Sequence, residues 1–257
     1  MFKRFSSLVL LSGIFILSGC SKEKEKNIAD MSFNELKSAT TTFIESGDKN
    51  HAIVALEGIL EKYSEKKEIS DYRLILADLH FIKRNYAAAD RCYEKYAQMN
   101  PGNSEYAAYK SILSKFKQTL DKYRDPSMAK KTLGLAKAFI NTPDFDSGKY
   151  TKEVKNIIYT CEKKLIDNEI QVLNFYIRQG KFSSAEKRIE YLKEHFISKH
   201  AEVEPQIVYL ESKLAYRKKD KKAAQEKYEV LADKFPDSEF TTIAQRMLNK
   251  KNDFLLF

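Results

Sequence analysis

A six-residue phrase recurs along the chain and restricts what the chain can fold into. At Gly180-Lys181-Phe182-Ser183-Ser184-Ala185, a glycine suits the left-handed end of one helical pattern, and an aromatic and an alanine open the next. The small residue lets two antiparallel helices approach closely. The phrase returns at Gly47 to Ala52, at Arg84 to Ala89, with Asn85 beside the turn in place of glycine, and more weakly at Lys219 to Ala224. The alanines at 52, 89, 185 and 224 are separated by 37, 96 and 39 residues. Ala129, in Asp125-Pro126-Ser127-Met128-Ala129, divides the long gap into 40 and 56, which gives five units with an insertion between the third and fourth. Twelve residues before the four clear alanines stand Thr40, Ala77, Leu173 and Ser212, three of them small. Met99-Asn100-Pro101 and Lys234-Phe235-Pro236 place prolines where a second helix should stop.

A helix–turn–helix phrase returning mostly at 37 to 40 residues is close to the roughly 34-residue pattern of tetratricopeptide repeats. The expected fold is all-α: a right-handed superhelical stack of about five hairpins, closed by a capping helix near 241–250. Only 8 Gly and 5 Pro in 257 residues argue against a sandwich or barrel. Ser32 and Glu35 form a capping box that starts the first helix. The pattern over about 151–179 is unusually long and should link the front and back of the stack. The expected organisation is a signal segment at 1–19, a tether at 20–30, units one to three at 31–143, units four and five with the cap at 144–250, and a tail at 251–257.

The N-terminus gives a destination. Lys3 and Arg4 precede an apolar run, Leu8 to Leu17, that is short of the roughly 20 residues needed to span a bilayer. It ends in Leu17-Ser18-Gly19-Cys20, which resembles a bacterial lipobox. There Cys20 is the lipidated residue, because its thiolate takes the diacylglycerol. Ser21 behind it implies sorting to the outer membrane, with the acyl chains as anchor. Ser21-Lys22-Glu23-Lys24-Glu25-Lys26 has nothing apolar to bury and reads as a solvated tether.

Composition removes several classes of function. Without Lys3 and Arg4 the net charge falls from +9 to +7, a mild excess that suits an anionic partner or lipid surface. No basic stripe interleaved with aromatics points to nucleic acid. His195 and His200 lack a third ligand at metal spacing, and no phosphate loop, Gly-x-Ser-x-Gly or His-Glu-x-x-His is present. No cofactor, metal or catalytic residue is expected, and Cys92 and Cys161 read as buried thiols. The positive candidates are surfaces. In a tetratricopeptide stack the first helix of each unit lines a groove. On that register Asn34, Lys37, Thr41, Ile44, Asp71, Leu74, Asp78 and Phe81 could take an extended peptide.

Three further segments carry a resemblance. Asn100-Pro101 with Tyr106-Ala107-Ala108-Tyr109-Lys110, then Tyr123-Arg124-Asp125-Pro126, then Leu165 to Glu169 with Phe175 to Phe182, are similar in order to the BamD family, outer-membrane lipoproteins of the β-barrel assembly machinery. The resemblance implies a scaffold without catalysis. Its front groove would receive C-terminal signals of unfolded outer-membrane proteins. Its back units would dock on a BamA-type insertase, with other assembly lipoproteins as further partners. Arg188 falls where the family has an arginine at that docking surface. Phe182 in place of Trp or Tyr, and the missing proline after unit one, depart from the family pattern. A secretin pilotin or an adaptor for cell-wall enzymes is the alternative within the same fold.

Overall fold

The computed structural model describes residues 28–64, 69–119, 126–143, 145 and 148–249. The lipobox at 17–20, most of the tether, Tyr123-Arg124-Asp125 and the tail lie outside the described residues. Among the described residues there are eleven α-helices and no strand. They are α1 (Phe33–Glu45), α2 (Lys49–Lys62), α3 (Ile69–Ile82), α4 (Tyr86–Met99), α5 (Glu105–Lys117), α6 (Ser127–Ile140), α7 (Thr151–Arg178), α8 (Phe182–His195), α9 (Glu204–Arg217), α10 (Lys221–Lys234) and α11 (Glu239–Asn249). The chain divides into two compact units at Ile59/Leu60, within α2.

The first unit is a helix hairpin. The capping box is formed: the Ser32 amide donates to Glu35 Oε2 at 2.7 Å, and the Glu35 amide donates to Ser32 Oγ at 3.4 Å. Leu36 and Thr40 of α1, and Ala52, Ala55, Leu56 and Ile59 of α2, are buried. Phe43 meets His51 across the turn, ring centres 5.2 Å apart.

The second unit contains hairpins α3/α4, α5/α6, α7/α8 and α9/α10, with α11 against α9 and α10. The recurring phrase has a single geometry. Gly47, Arg84, Gly180 and Lys219, each five residues before a repeat alanine, all adopt positive φ, at 78°, 61°, 68° and 66°. Asn85 and Asp220 follow the two non-glycine turns and cap the next helix by accepting the amides of Ala88 and Ala223. Those caps offset the strain of a left-handed Arg or Lys, about 1–2 kcal/mol. Ala52, Ala89, Ala185 and Ala224 are completely buried, and so are Ala77, Leu173 and Ser212 twelve residues earlier. Within α9/α10 the two positions touch: Ser212 Oγ donates to the Ala224 carbonyl at 2.8 Å.

Helix α7 has 28 residues, about twice the length of its neighbours, and takes part in two cores. Val154, Ile157 and Cys161 pack with Ile112, Ala136 and Phe139 of α5 and α6. Leu165, Ile166, Ile170, Leu173 and Ile177 pack with α8 and α9. The expected link through this helix is present within the second unit. Helix α5 ends at Lys117, and the segment 120–125 lies outside the described residues. Cys161 is buried and Cys92 half-buried, both as free thiols.

Candidate functional site

Helix periodicity puts Asn34, Lys37, Thr41 and Ile44 on one exposed face of α1. Thr41 Oγ1 bonds back to the Lys37 carbonyl at 3.2 Å, which leaves Asn34, the Lys37 ammonium and Ile44 as the reactive surface of that face. The four remaining front residues lie on α3, in the other unit. Asp71 is exposed and Leu74 packs on the Ala77–Tyr93 core.

Asp78 and Phe81 have internal partners. Asp78 Oδ1 accepts the hydroxyls of Tyr93, at 2.5 Å, and Tyr106, at 2.6 Å, joining α3 to α4 and α5. Burial first, and then the Asp78 carboxylate, push both phenols well above the usual tyrosine range. Lys110 Nζ sits 3.2 Å from the centre of the Phe81 ring, a cation–π contact. Burial lowers the Lys110 ammonium, and the charge of Asp78 partly restores it. Tyr150 extends the cluster by stacking flat on Tyr109, ring centres 4.5 Å apart. Tyr93 and Tyr150 were not singled out in the sequence. Tyr106, Tyr109 and Lys110 were, within the Tyr-Ala-Ala-Tyr-Lys run, but only as a resemblance.

Arg188 lies on α8 with its side chain partly exposed. Its Nη1 donates to Glu169 Oε2 of α7 at 2.9 Å. Glu169 is buried, so the pair fixes the orientation of a guanidinium whose side chain is still 39% exposed. Glu169 sits in a segment that carries the family resemblance, Arg188 lies six residues beyond that segment's end, and the fold brings the two together across 19 positions.

A second buried polar centre was not legible from spacing. His200 is almost fully buried, with Nε2 3.0 Å from Glu162 Oε2 and Nδ1 3.4 Å from Glu202 Oε1. Lys137 closes the other side of Glu162 at 2.8 Å. Burial alone would raise the Glu162 carboxyl, but hydrogen bonds from Lys137 and His200, with the charges of Lys137 and Lys199, hold it below the usual range. The group ties α6, α7 and the turn before α9. Among the described residues no three His, Cys, Asp or Glu side chains are grouped to hold a metal. No described helix is long and apolar enough to cross a membrane.

Helix hairpins, a left-handed turn at a fixed place and small residues at the crossings define a helical-repeat protein of the tetratricopeptide type. The family described as YfiO, outer membrane lipoprotein, matches residues 29–227, more than three quarters of the 257-residue chain. The chain belongs to that family, which is the family of BamD. Among solved structures it is similar to the P58(IPK) TPR domain, at 15% identity, covering 85% of this chain and 67% of that one, with a TM-score of 0.43. That likeness is loose, and the fold stands on the helices themselves. No curated protein matches the chain.

Proposed function

We propose that the protein is a non-catalytic, lipid-anchored scaffold on the periplasmic face of the outer membrane, serving assembly of outer-membrane β-barrel proteins. The family match over residues 29–227 carries this reading. Cys20 is the lipidated residue, read through Leu17, Ser18 and Gly19. The back units dock on a BamA-type insertase and accessory lipoproteins, with Arg188 as a contact. The exposed α1 face receives C-terminal signals of unfolded barrel proteins. Of the eight front residues, Asn34, Lys37, Thr41, Ile44 and Asp71 keep the exposure a contact needs. Asp78 and Phe81 act one step back, by holding α3, α4 and α5 together.

The test is photo-crosslinking in cells. A photoreactive residue at Lys37 or Ile44 should capture unfolded barrel proteins, and one at the exposed Lys234, the last residue of α10, should not. Equal capture at all three positions, or none at any, removes the client role. For Arg188, the variant pair Arg188→Ala and Arg188→Ala/Glu169→Gln separates docking from the internal ion pair. Loss of insertase co-purification in both supports docking, and rescue in the double variant assigns Arg188 to structure.

A further inference from the structure

One group of charges in the back of the chain has no counterpart. Asn174 and Arg178 of α7, and Lys213 and Arg217 of α9, are each four residues apart and so share a face of their helix. Lys213 Nζ donates to Asn174 Oδ1 at 2.9 Å and clips the two helices together there. Asn174 Nδ2 is committed to the Ile170 carbonyl at 3.0 Å, so its amide is fixed in orientation. The Lys213 stem is half-buried, and its ammonium lies 5.9 Å from the centre of the Tyr209 ring.

Four other cations on and beside α8 to α10 are paired. Lys193 and Lys227 pair with Glu211, Lys218 pairs with Glu186, and Arg188 pairs with Glu169. Among the described residues, Arg178, Lys213 and Arg217 carry no acid within ion-pair distance; the acceptor of Lys213 is a neutral amide. Burial, and then the charges of Arg178 and Arg217, push the Lys213 ammonium below the usual lysine range. Three like charges held together without a counterion repel one another in the free protein and attract an anionic group from outside.

We propose that this open face of α7 and α9 is a docking cradle for an acidic peptide segment of a protein partner. Carboxylates of the segment lie between Arg178 and Arg217 and reach Lys213 behind them. The ring of Phe175, 45% exposed and one turn before Arg178, selects the occupant. A peptide carries an apolar side chain beside its carboxylates and covers the ring, whereas a phosphate group satisfies only the charges. The proposal deepens the docking role of the back units and rests on that reading.

The probe is a short fluorescent peptide alternating Asp and Glu with Leu and Phe, beside a control with Lys at every acidic position. Anisotropy with the full-length protein in detergent should show binding of the acidic peptide alone, weakening as salt rises. Arg178→Gln/Arg217→Gln should lower the affinity by about tenfold or more, Lys213→Met should lower it as well, and Lys234→Gln on α10 should not. The paired glutamines replace exposed side chains, so an unchanged melting temperature certifies the fold. Equal affinity in the double variant overturns the proposal. So does binding to phosphatidylglycerol vesicles but not to the peptide, which would make the face a lipid contact. If the peptide fails while the insertase still co-purifies, the cradle is wrong and docking lies elsewhere. If the peptide binds while no insertase co-purifies, the cradle stands with a different partner.

Discussion

Asp78 separates a ligand-contact role from a structural role most cleanly. Asp78→Ala removes the acceptor of two phenols, one on α4 and one on α5. A hydrogen bond to a charged group contributes about 1.5–3 kcal/mol. The Tyr93 side chain is fully buried and cannot turn to water, so its loss falls at the upper part of that range. Tyr106 is only half-buried and can be rehydrated, so its loss falls at the bottom. The sum is about 4–4.5 kcal/mol, or a fall of roughly 8–18 °C in melting temperature for a chain of this size. Tyr93→Phe removes one bond but leaves Asp78 paired with Tyr106, and should cost about 1–1.5 kcal/mol. Thermal unfolding by circular dichroism reads the totals, and hydrogen exchange should localise the loss of protection to α3, α4 and α5. The same network has an alkaline signature. Both phenols have raised pKa values, so their contribution is complete below the unfolded value of 10.0 and is lost as pH rises above it. Wild type should therefore lose stability above that pH more steeply than Tyr93→Phe. A change of less than about 2 °C in Asp78→Ala, with client capture reduced, would refute this reasoning and return Asp78 to the groove.

The turns give two tests of opposite sign. Gly180→Ala forces a side chain into a left-handed position and should cost about 1 kcal/mol although the space around it is open. Arg84→Gly or Lys219→Gly relieves the same conformation and should stabilise by about 0.5–1 kcal/mol, read as the denaturation midpoint in urea. The Glu162 centre gives an acid test. Its depressed pKa means that its contribution is full above the unfolded value of 4.5 and is lost as pH falls through the lower folded value. Glu162→Gln should lower the melting temperature at neutral pH and flatten its decline on acidification; a decline as steep as wild type would assign acid sensitivity to other carboxylates.

The spacing of the alanines made the fold legible because the crossing of two helices tolerates only small side chains. The same residues that form the pattern, Ala52, Ala89, Ala185 and Ala224, are the completely buried ones. The left-handed turn was legible where it is glycine. At Arg84 and Lys219 the signal moved one residue on, to the Asn85 and Asp220 caps that compensate for it. The candidate surface was less legible. Helical register groups the α1 residues on one face, and all four are exposed. It cannot reveal that Asp78 is already occupied, because Tyr93 and Tyr106 lie 15 and 28 residues away on other helices. Arg188 with Glu169, and His200 with Glu162, escaped for the same reason: each pair is made by packing, and neither leaves a short-range spacing. The uncompensated cations at 178, 213 and 217 were hidden in a chain where 45 Lys and Arg make any single cluster look ordinary.

The most direct test of the scaffold reading is a pulldown of the tagged, lipidated protein from detergent-solubilised membranes, with mass spectrometry of what accompanies it. The account predicts a β-barrel protein bearing repeated periplasmic domains, lost when Cys20→Ala removes the anchor from the membrane. Recovery of a secretin or a cell-wall synthase in its place would contradict it.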